Sequence, residues 1–162
     1  MVVWSVKECK IRVKKWVKTM FFGEYRHSID DKGRLSIPSK MRSLCGEMVY
    51  VTRGNDGCLA MYTQEGWLNY YKELQALPQK KKDVRIYVRL ITSRVRDCPF
   101  DKLGRINIPA TLRDEANLKK ECVVIGVGDH VEIWDEEKWN EYYNVNMDNF
   151  DEIAESLEDF DL

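Results

Sequence analysis

The sequence predicts an α+β fold built from two copies of one unit. Residues 30–42 return as residues 101–113, at a spacing of 71, with Asp, Gly, Arg, two alternating apolar residues, Pro and a final Arg in the same places. The similarity continues downstream at a spacing of 72, where Trp67 corresponds to Trp139. Within each copy, short stretches of period two alternate with stretches of helical period. Because internal repetition of this kind decides architecture, we expect two pseudo-equivalent units in one chain.

The first unit is expected over residues 20–78. Alternating polar and apolar residues indicate its strands, and clusters of Asx and Gly indicate its turns. Leu35 and Ile37 should point inward, and Pro38 suits the first turn of a helix better than a central strand. The expected elements are a strand at 20–29, a turn at 30–33, a strand at 34–37, a helix at 39–44, strands at 48–52 and 58–62 around a turn at 54–57, and a helix at 64–77.

The second unit is expected over residues 97–143, after a basic linking helix at 79–96 whose apolar residues lie at helical spacing. Its expected elements are a turn at 101–104, a strand at 105–108, a helix at 109–116, a strand at 122–127, a turn at 128–129, a strand at 131–134 and a helix at 136–143. The Trp and Tyr residues of the two longer helices fall at core spacing, so we expect them to pack rather than to stack on bases.

Charge is distributed unevenly along the chain, although the net charge is only −1 over 162 residues. Residues 1–19 contain five Lys and one Arg against one Glu, and we expect them to be an extension upstream of a native start at Met20. A basic arm for nucleic acid and a membrane-surface segment are the alternatives. Residues 144–162 contain seven acidic residues and neither Lys nor Arg. They form either an acidic amphipathic helix or a frayed tail.

Composition argues against several classes of function. No run approaches 18 apolar residues, so no membrane span is predicted. The five Cys are odd in number and form no C-x-x-C pair, and there are only two His, which speaks against a metal site or a Cys–His nucleophile. Free thiols are typical of a reducing cytoplasm. We find no catalytic constellation, no phosphate-binding glycine loop, and therefore no cofactor and no enzyme.

The repeated turn carries the chemistry that suggests a function. An Asp four residues before an Arg, across a glycine turn, can accept hydrogen bonds from the guanidinium and fix where its remaining donors point. Such an Arg reads phosphate oxygens or a guanine edge. An ion pair that merely stabilises the turn is the alternative, and a solvated helix would explain the basic stretch at 80–96. The candidate DNA-binding residues are Asp30, Lys32, Arg34, Arg42, Asp101, Lys102, Arg105 and Arg113.

These motifs resemble a known family over residues 20–143. The paired Asp30/Arg34 and Asp101/Arg105 signatures, and the opening Met20-Phe21-Phe22-Gly23, are similar to those of the MraZ family of bacterial transcriptional regulators. Each unit also resembles the swapped-hairpin motif of AbrB-like regulators, which repeats the D-x-x-G-R-hydrophobic-x-hydrophobic-P segment.

The resemblance implies a β-rich core of two pseudo-symmetric AbrB-like swapped-hairpin units (ββαββα-type) with helices packed outside. It also implies a homo-oligomeric ring that binds double-stranded DNA at direct repeats upstream of its own operon, in the cell division and cell wall gene cluster. Arg34 and Arg105 would contact the DNA, and Asp30 and Asp101 would orient them. A nucleoid-associated cytoplasmic protein without membrane contact or small-molecule substrate is expected. The alternative is an antitoxin-like module whose acidic segment at 148–162 binds a protein.

Overall fold

The fold was analysed on a computed structural model that describes residues 20–160, so the predictions for residues 1–19 lie outside the described part of the chain. The predicted α+β class is confirmed. In chain order the elements are β1 (Glu24–Ser28), β2 (Arg34–Ser36), α1 (Ser39–Arg42), β3 (Met48–Arg53), β4 (Leu59–Tyr62), α2 (Gln64–Ala76), α3 (Lys82–Thr92), β5 (Arg96–Pro99), β6 (Arg105–Asn107), α4 (Ala110–Glu115), β7 (Glu121–Gly126), β8 (Val131–Asp135), α5 (Glu136–Asp148) and α6 (Phe150–Ser156), followed by a 3-10 turn (Leu157–Asp159).

The strands form one six-stranded antiparallel sheet and one two-stranded ribbon. The sheet has the order β1-β7-β8-β4-β3-β5, and the ribbon pairs β2 with β6. The first strand of each sequence repeat therefore pairs with the third strand of the other repeat, as β1 with β7 and β5 with β3. The ribbon and the β4–β8 pair also join the two repeats. The repeats interleave, so neither could keep its hydrogen bonds alone.

The core lies between the ribbon and one face of the sheet. Leu35 and Ile106 face each other across the ribbon, and both are fully buried. The same cluster contains Val49, Val51 and Leu59 from the sheet, with Met41 of α1 and Leu112 of α4 closing its ends. We call this side of the sheet the inner face. The inward orientation predicted for Leu35 and Ile37 is confirmed.

The longer helices cover the opposite, outer face of the sheet. Thr52, which alternates with the inner Val51, donates a 2.8 Å hydrogen bond from its hydroxyl to the Ile91 carbonyl of α3. The ring of Tyr62 stacks on Tyr70 of α2 at 5.2 Å between centroids. In the second repeat Trp134 packs on Tyr142 of α5 at 5.0 Å. The aromatic residues thus pack between helix and sheet, as the helical spacing predicted.

Both long outer helices begin at equivalent capping residues. Thr63 accepts a 2.9 Å hydrogen bond from the Gly66 N–H at the start of α2. Asp135, at the same place in the second repeat, accepts one from the Lys138 N–H at the start of α5. Each side chain satisfies a backbone donor that the first turn of a helix leaves open.

Three boundaries differ from those predicted. In the linking segment the helix covers only Lys82–Thr92, and Arg96 already belongs to β5, a strand that was not predicted. β5 lies at the edge of the sheet, where Pro99 is tolerated because its missing N–H would face away from β3. α5 continues to Asp148 rather than ending near residue 143. The acidic segment after it is helical in α6, which decides between the two alternatives for that segment.

Burial of the ribbon predicts a contrast between neighbouring apolar residues. Ile106→Ala should lower the free energy of unfolding by about 2–5 kcal/mol, because it leaves a cavity in the core. Leu103→Ala, in the turn just before the ribbon, should change it by only about 0.5 kcal/mol, because Leu103 is 71% exposed. Chemical denaturation of the two variants measures both values. Equal losses would contradict the placement of the ribbon on the core.

Candidate nucleic-acid interface

The repeated turn has the same hydrogen bonds in both copies. In the first turn, the Gly33 N–H donates to the Asp30 carbonyl at 2.9 Å, and Gly33 has a φ of +83°, a left-handed value that favours glycine. In the second, the Gly104 N–H donates to the Asp101 carbonyl at 3.0 Å, and φ of Gly104 is +74°. The duplicated sequence therefore encodes a duplicated backbone, which places the following Arg in the same position each time.

Each turn holds its Arg through a carboxylate. The Nε of Arg34 donates to Oδ2 of Asp30 at 2.6 Å, and the Nε of Arg105 donates to Oδ2 of Asp101 at 2.7 Å. The other carboxylate oxygen accepts from the backbone N–H of the same Arg, at 2.9 Å in both copies. One aspartate thus fixes both the backbone and the side chain of the residue four positions later.

These bonds shift the acidity of the two aspartates. The backbone N–H of Arg34, assisted by its guanidinium, holds the pKa of the Asp30 carboxyl below its ordinary value. The N–H and guanidinium of Arg105 lower the pKa of Asp101 in the same way. Hydrogen bonds to a carboxylate favour its charged form, so both groups carry a negative charge at neutral pH.

The ribbon places both guanidinium groups on one face. In the antiparallel register Arg34 lies opposite Asn107, and Arg105 lies opposite Ser36. Opposite residues project to the same side of a two-stranded sheet, and residues two apart do as well. All four therefore lie on the side away from the buried Leu35. Arg34 and Arg105 are diagonal neighbours, which lie about 7–8 Å apart, with their Cβ atoms somewhat closer.

Both Arg side chains remain accessible. That of Arg34 is 36% exposed and that of Arg105 is 25% exposed. In each case Nε makes the bond to the aspartate, and within residues 20–160 no hydrogen bond engages Nη1 or Nη2 of either residue. The ion pair predicted by the motif and the outward orientation predicted for a ligand-reading Arg are therefore present together.

Arg42 and Arg113 occupy a different position, against the turn of the opposite repeat. Nη1 of Arg42 donates to the Ile37 carbonyl at 3.0 Å and lies so close to Gly104 that a Cβ there would stand 1.9 Å away. Nε of Arg113 would stand 2.9 Å from a Cβ on Gly33. Gly33 is required by its φ and by the Ile108 carbonyl oxygen, which would stand 2.6 Å from a Cβ, whereas Gly104 is required by its φ, since the Arg42 side chain could move aside.

The two Lys of the predicted site lie exposed at the tips of the turns. Lys32 and Lys102 do not occupy equivalent positions, since Lys32 corresponds to Leu103 in the second repeat. The basic helix α3 is placed elsewhere: it packs on the outer face of the sheet, whereas the ribbon packs on the inner face. The basic stretch at 80–96 and the two turns therefore lie on opposite sides of the sheet and do not form one cationic face.

Sequence reasoning did not select Ser36 and Asn107, although they share the outer side of the ribbon with both Arg. The alternation that turned Leu35 inward could have identified them. It also missed Lys119 and Lys120, which line a cleft of about 590 Å³ beside Asp30 and Asp31. The Lys120 carbonyl accepts from the Ile29 N–H at 2.8 Å, a contact that only the fold brings about.

Groups typical of other chemistries are missing from the part of the chain that the structure describes. No three His, Cys, Asp or Glu residues there could share a metal ion. Cys45, Cys58, Cys98 and Cys122 are buried, and burial raises the pKa of Cys45 and Cys98 to about 11. Such thiols stay protonated and unreactive. No helix among these residues is long and apolar enough to cross a membrane.

The lowered pKa values can be measured directly. By carboxyl NMR, Asp30 and Asp101 should titrate below the ordinary value of about 3.9. Because the folded pKa is the lower one, the stabilisation is present above the unfolded value and is lost as pH falls through the folded value. Arg34→Ala should raise the pKa of Asp30 only part of the way, since the backbone N–H of residue 34 still donates. A midpoint at the ordinary value in the wild-type protein would exclude these hydrogen bonds.

Comparison with known proteins gives the family. The family model described as "MraZ protein, putative antitoxin-like" matches residues 20–90 and again 93–161. A protein of Ligilactobacillus salivarius named "Transcriptional regulator MraZ" is 52% identical over 143 residues, covering 88% of this chain and 100% of that protein. One of the same name from Limosilactobacillus reuteri is 51% identical over 138 residues, covering 85% and 97%.

A solved structure is also similar in part. The solution structure of PHS018 from Pyrococcus horikoshii covers 68% of this chain and 92% of its own, at 14% identity and a TM-score of 0.32, which is too distant to support an argument. The two family matches and the relatives with about half of their residues identical decide the question: the chain belongs to the MraZ family, whose members are transcriptional regulators and not enzymes.

Proposed function

We propose that this protein regulates transcription by binding duplex DNA through the outer side of the ribbon β2–β6. The observation that supports this is the placement of two aspartate-held guanidinium groups side by side on that surface. A stabilising ion pair alone would not need the Nη groups of Arg34 and Arg105 to point into solvent. A DNA-reading Arg does need this, because Nη donors contact phosphates or the guanine edge.

The dimensions of the ribbon suit the major groove. The groove of B-DNA is about 12 Å wide and admits a two-stranded β-ribbon. The separation of about 7–8 Å between the diagonal neighbours Arg34 and Arg105 corresponds to roughly two base-pair steps of 3.4 Å. Asn107, on the same side, carries the amide that pairs with adenine. In this arrangement Asp30 and Asp101 act as positioning residues, because they hold each guanidinium before DNA arrives.

The remaining predicted site residues contribute in different ways. Lys32 and Lys102, at the tips of the turns, would contact phosphates on either side of the groove, and such contacts carry affinity without sequence. Arg42 and Arg113 would add positive charge beneath the turns and hold the glycine backbone in place. These four cations surround the two Asp–Arg ion pairs, whose charges cancel. The surface is therefore locally positive, although the net charge of the chain is −1.

The architecture suggests how such a small surface could be specific. We propose that the strand exchange between the repeats is a single-chain form of a swapped-hairpin pair of AbrB-like ββαββα units, the first over 20–78 and the second over 97–143. Several chains in a ring would place several ribbons on direct repeats in the promoter of the protein's own operon, within the cell division and cell wall gene cluster. Linked binding of this kind multiplies affinity without new contacts. The protein would then act in the cytoplasm, at the nucleoid.

A second candidate function rests on the acidic end of the chain. α6 buries none of its residues, although Phe150 and Ile153 on it are large and apolar. In an antitoxin-like module this segment would bind a different protein while the ribbon binds DNA. Ending the chain after Asn149 separates the two functions. DNA binding by the ribbon should survive the truncation, and capture of a protein partner should not.

The proposed site is tested on a duplex with a single promoter repeat. Arg34→Ala and Arg105→Ala should each weaken binding by about 1–3 kcal/mol if the Arg reads a base. If the Arg contacts a phosphate instead, the negative slope of log K against log salt concentration should become shallower by about 0.9, because one phosphate contact is lost. Fluorescence anisotropy in a salt titration measures affinity and slope together.

Lys72→Ala serves as the control, because it also removes one exposed cation, but from α2 on the outer face. It should leave both affinity and slope nearly unchanged. Assembly should be the same in all these variants, since the ribbon side chains lie apart from the outer helices. Unchanged affinity and slope for Arg34→Ala would show that the site lies elsewhere.

A further inference from the structure

Among the exposed apolar surfaces of residues 20–160, two carry opposite charge and lie outside both the core and the ribbon. The first, the acidic arm, consists of α6, the 3-10 turn after it and Phe160. The second, the basic helix, is α3. Neither takes part in the proposed DNA site, and their chemistry is complementary.

The acidic arm is an amphipathic helix without a partner among the described residues. Three of its apolar side chains follow one another at intervals of three and four residues, which places them along one face, and Phe160 follows the 3-10 turn in an extended conformation. They are exposed by 57%, 43%, 50% and 65% at Phe150, Ile153, Leu157 and Phe160. Carboxylates flank this stripe, including those of Glu152 and Glu155, and residues 144–162 contain no Lys or Arg to neutralise them.

The basic helix presents the matching pattern. One side of it packs on β3 through the buried Ile91. On the other side Ile86 and Leu90, four residues apart, are 41% and 53% exposed. Lys82 and Arg89 lie at the same helical spacing around them and are exposed as well. The basic helix therefore has an apolar centre between basic residues, and the acidic arm has an apolar stripe between acidic residues.

We propose that the acidic arm of one copy of this chain docks on the basic helix of a second copy. Burial of the two apolar stripes would supply the affinity, since contiguous exposed apolar surface marks an interaction site. The opposite charges would select the partner and its orientation, because exposed ion pairs add little affinity of their own. The proposal rests on the proposed function, since it identifies the contact that would build the ring.

The two surfaces differ, and this has a geometric consequence. An open row of copies joined in this way leaves an arm free at one end and a helix free at the other, and all surfaces are occupied only when the contacts close, in a reciprocal two-fold exchange or in a larger ring. A dimer that paired the two arms with each other is disfavoured, because two acidic arms would repel each other. A closed symmetric assembly places all ribbons in equivalent positions. The contact leaves them uncovered, because both docking surfaces lie apart from the inner face on which the ribbon packs.

The test reverses charge on either side of the contact. One variant carries Lys82→Glu with Arg89→Glu, and a second carries Glu152→Lys with Glu155→Lys. Each alone should be mainly monomeric by light scattering at low salt, whereas the wild-type chain should be oligomeric. A chain with all four substitutions should assemble again. An equimolar mixture of the helix variant and the arm variant should also assemble. The acidic arm of the first can dock on the basic helix of the second, and the basic arm of the second can dock on the acidic helix of the first.

The mixture separates this proposal from its competitors. If the arm bound the basic helix of its own chain, the fourfold variant would regain its contact but the mixture would stay monomeric. If the arm bound a foreign basic protein, all these variants would have the same mass. Either result overturns the proposal, as does a monomeric wild-type chain. Ile153→Ser with Leu157→Ser should give the same loss of assembly, because it removes the apolar contact without changing charge.

Matched controls and DNA readouts complete the design. Asp114→Lys and Lys120→Glu reverse exposed charges in and after α4, and both should leave the mass unchanged. Ending the chain after Asn149 should abolish assembly without touching the packed sheet. Binding to a single repeat should survive this truncation, whereas the gain from several linked repeats, on the order of 10²–10⁴-fold, should be lost. Failure of the wild-type chain to bind a single repeat would refute the DNA site alone, since the masses are measured without DNA.

Discussion

The antiparallel pairing of β2 with β6 is the interaction on which the rest of this structure depends. It joins the two repeats at their most similar segment, and its period of two separates core from surface: Leu35 and Ile106 fill the inner cluster while Arg34 and Arg105 face outward. A shift of one residue would exchange these faces and bury two guanidinium groups. The stability of the core and the proposed recognition of DNA would therefore depend on the same register.

The two aspartates order the Arg side chains that this register turns outward. An Arg side chain loses much rotamer freedom when it binds a ligand, and a guanidinium held beforehand loses less. Asp30 and Asp101 hold theirs through Nε, which leaves the Nη fork facing out. The same carboxylates also accept backbone N–H groups, so the turn and the side chain are ordered together. For this reason the stabilising ion pair and the DNA-reading Arg, which were alternatives at the level of sequence, are compatible in the structure.

Local physics made much of this predictable. The Asx–Gly turns, the inward side chains of the ribbon and the aromatic packing of α2 and α5 follow from spacing along the chain, and the structure has them as predicted. Contacts between the repeats were not predictable in this way. β5 has only Cys98 buried among its four residues, so it carries almost no alternation, and its pairing with β3 makes it a strand. The packing of Arg42 on Gly104 joins residues 62 positions apart, and no local pattern indicates it.

In the proposed function, the ribbon binds DNA on one side of the sheet and the outer helices make contacts between copies on the other. This division would explain why charge is distributed so unevenly along the chain. In the proposed function, cations near the ribbon would contact an anionic duplex, and their effect would weaken steeply with salt. An acidic arm on that same side would repel the duplex and compete for the same Arg and Lys side chains. α3 and α5 instead pack on the outer face, and α6 continues from α5. Opposite charges on the outer helices can then attract each other between copies without neutralising the ribbon. Spatial separation therefore allows two charge-dependent contacts on one chain to act without interfering.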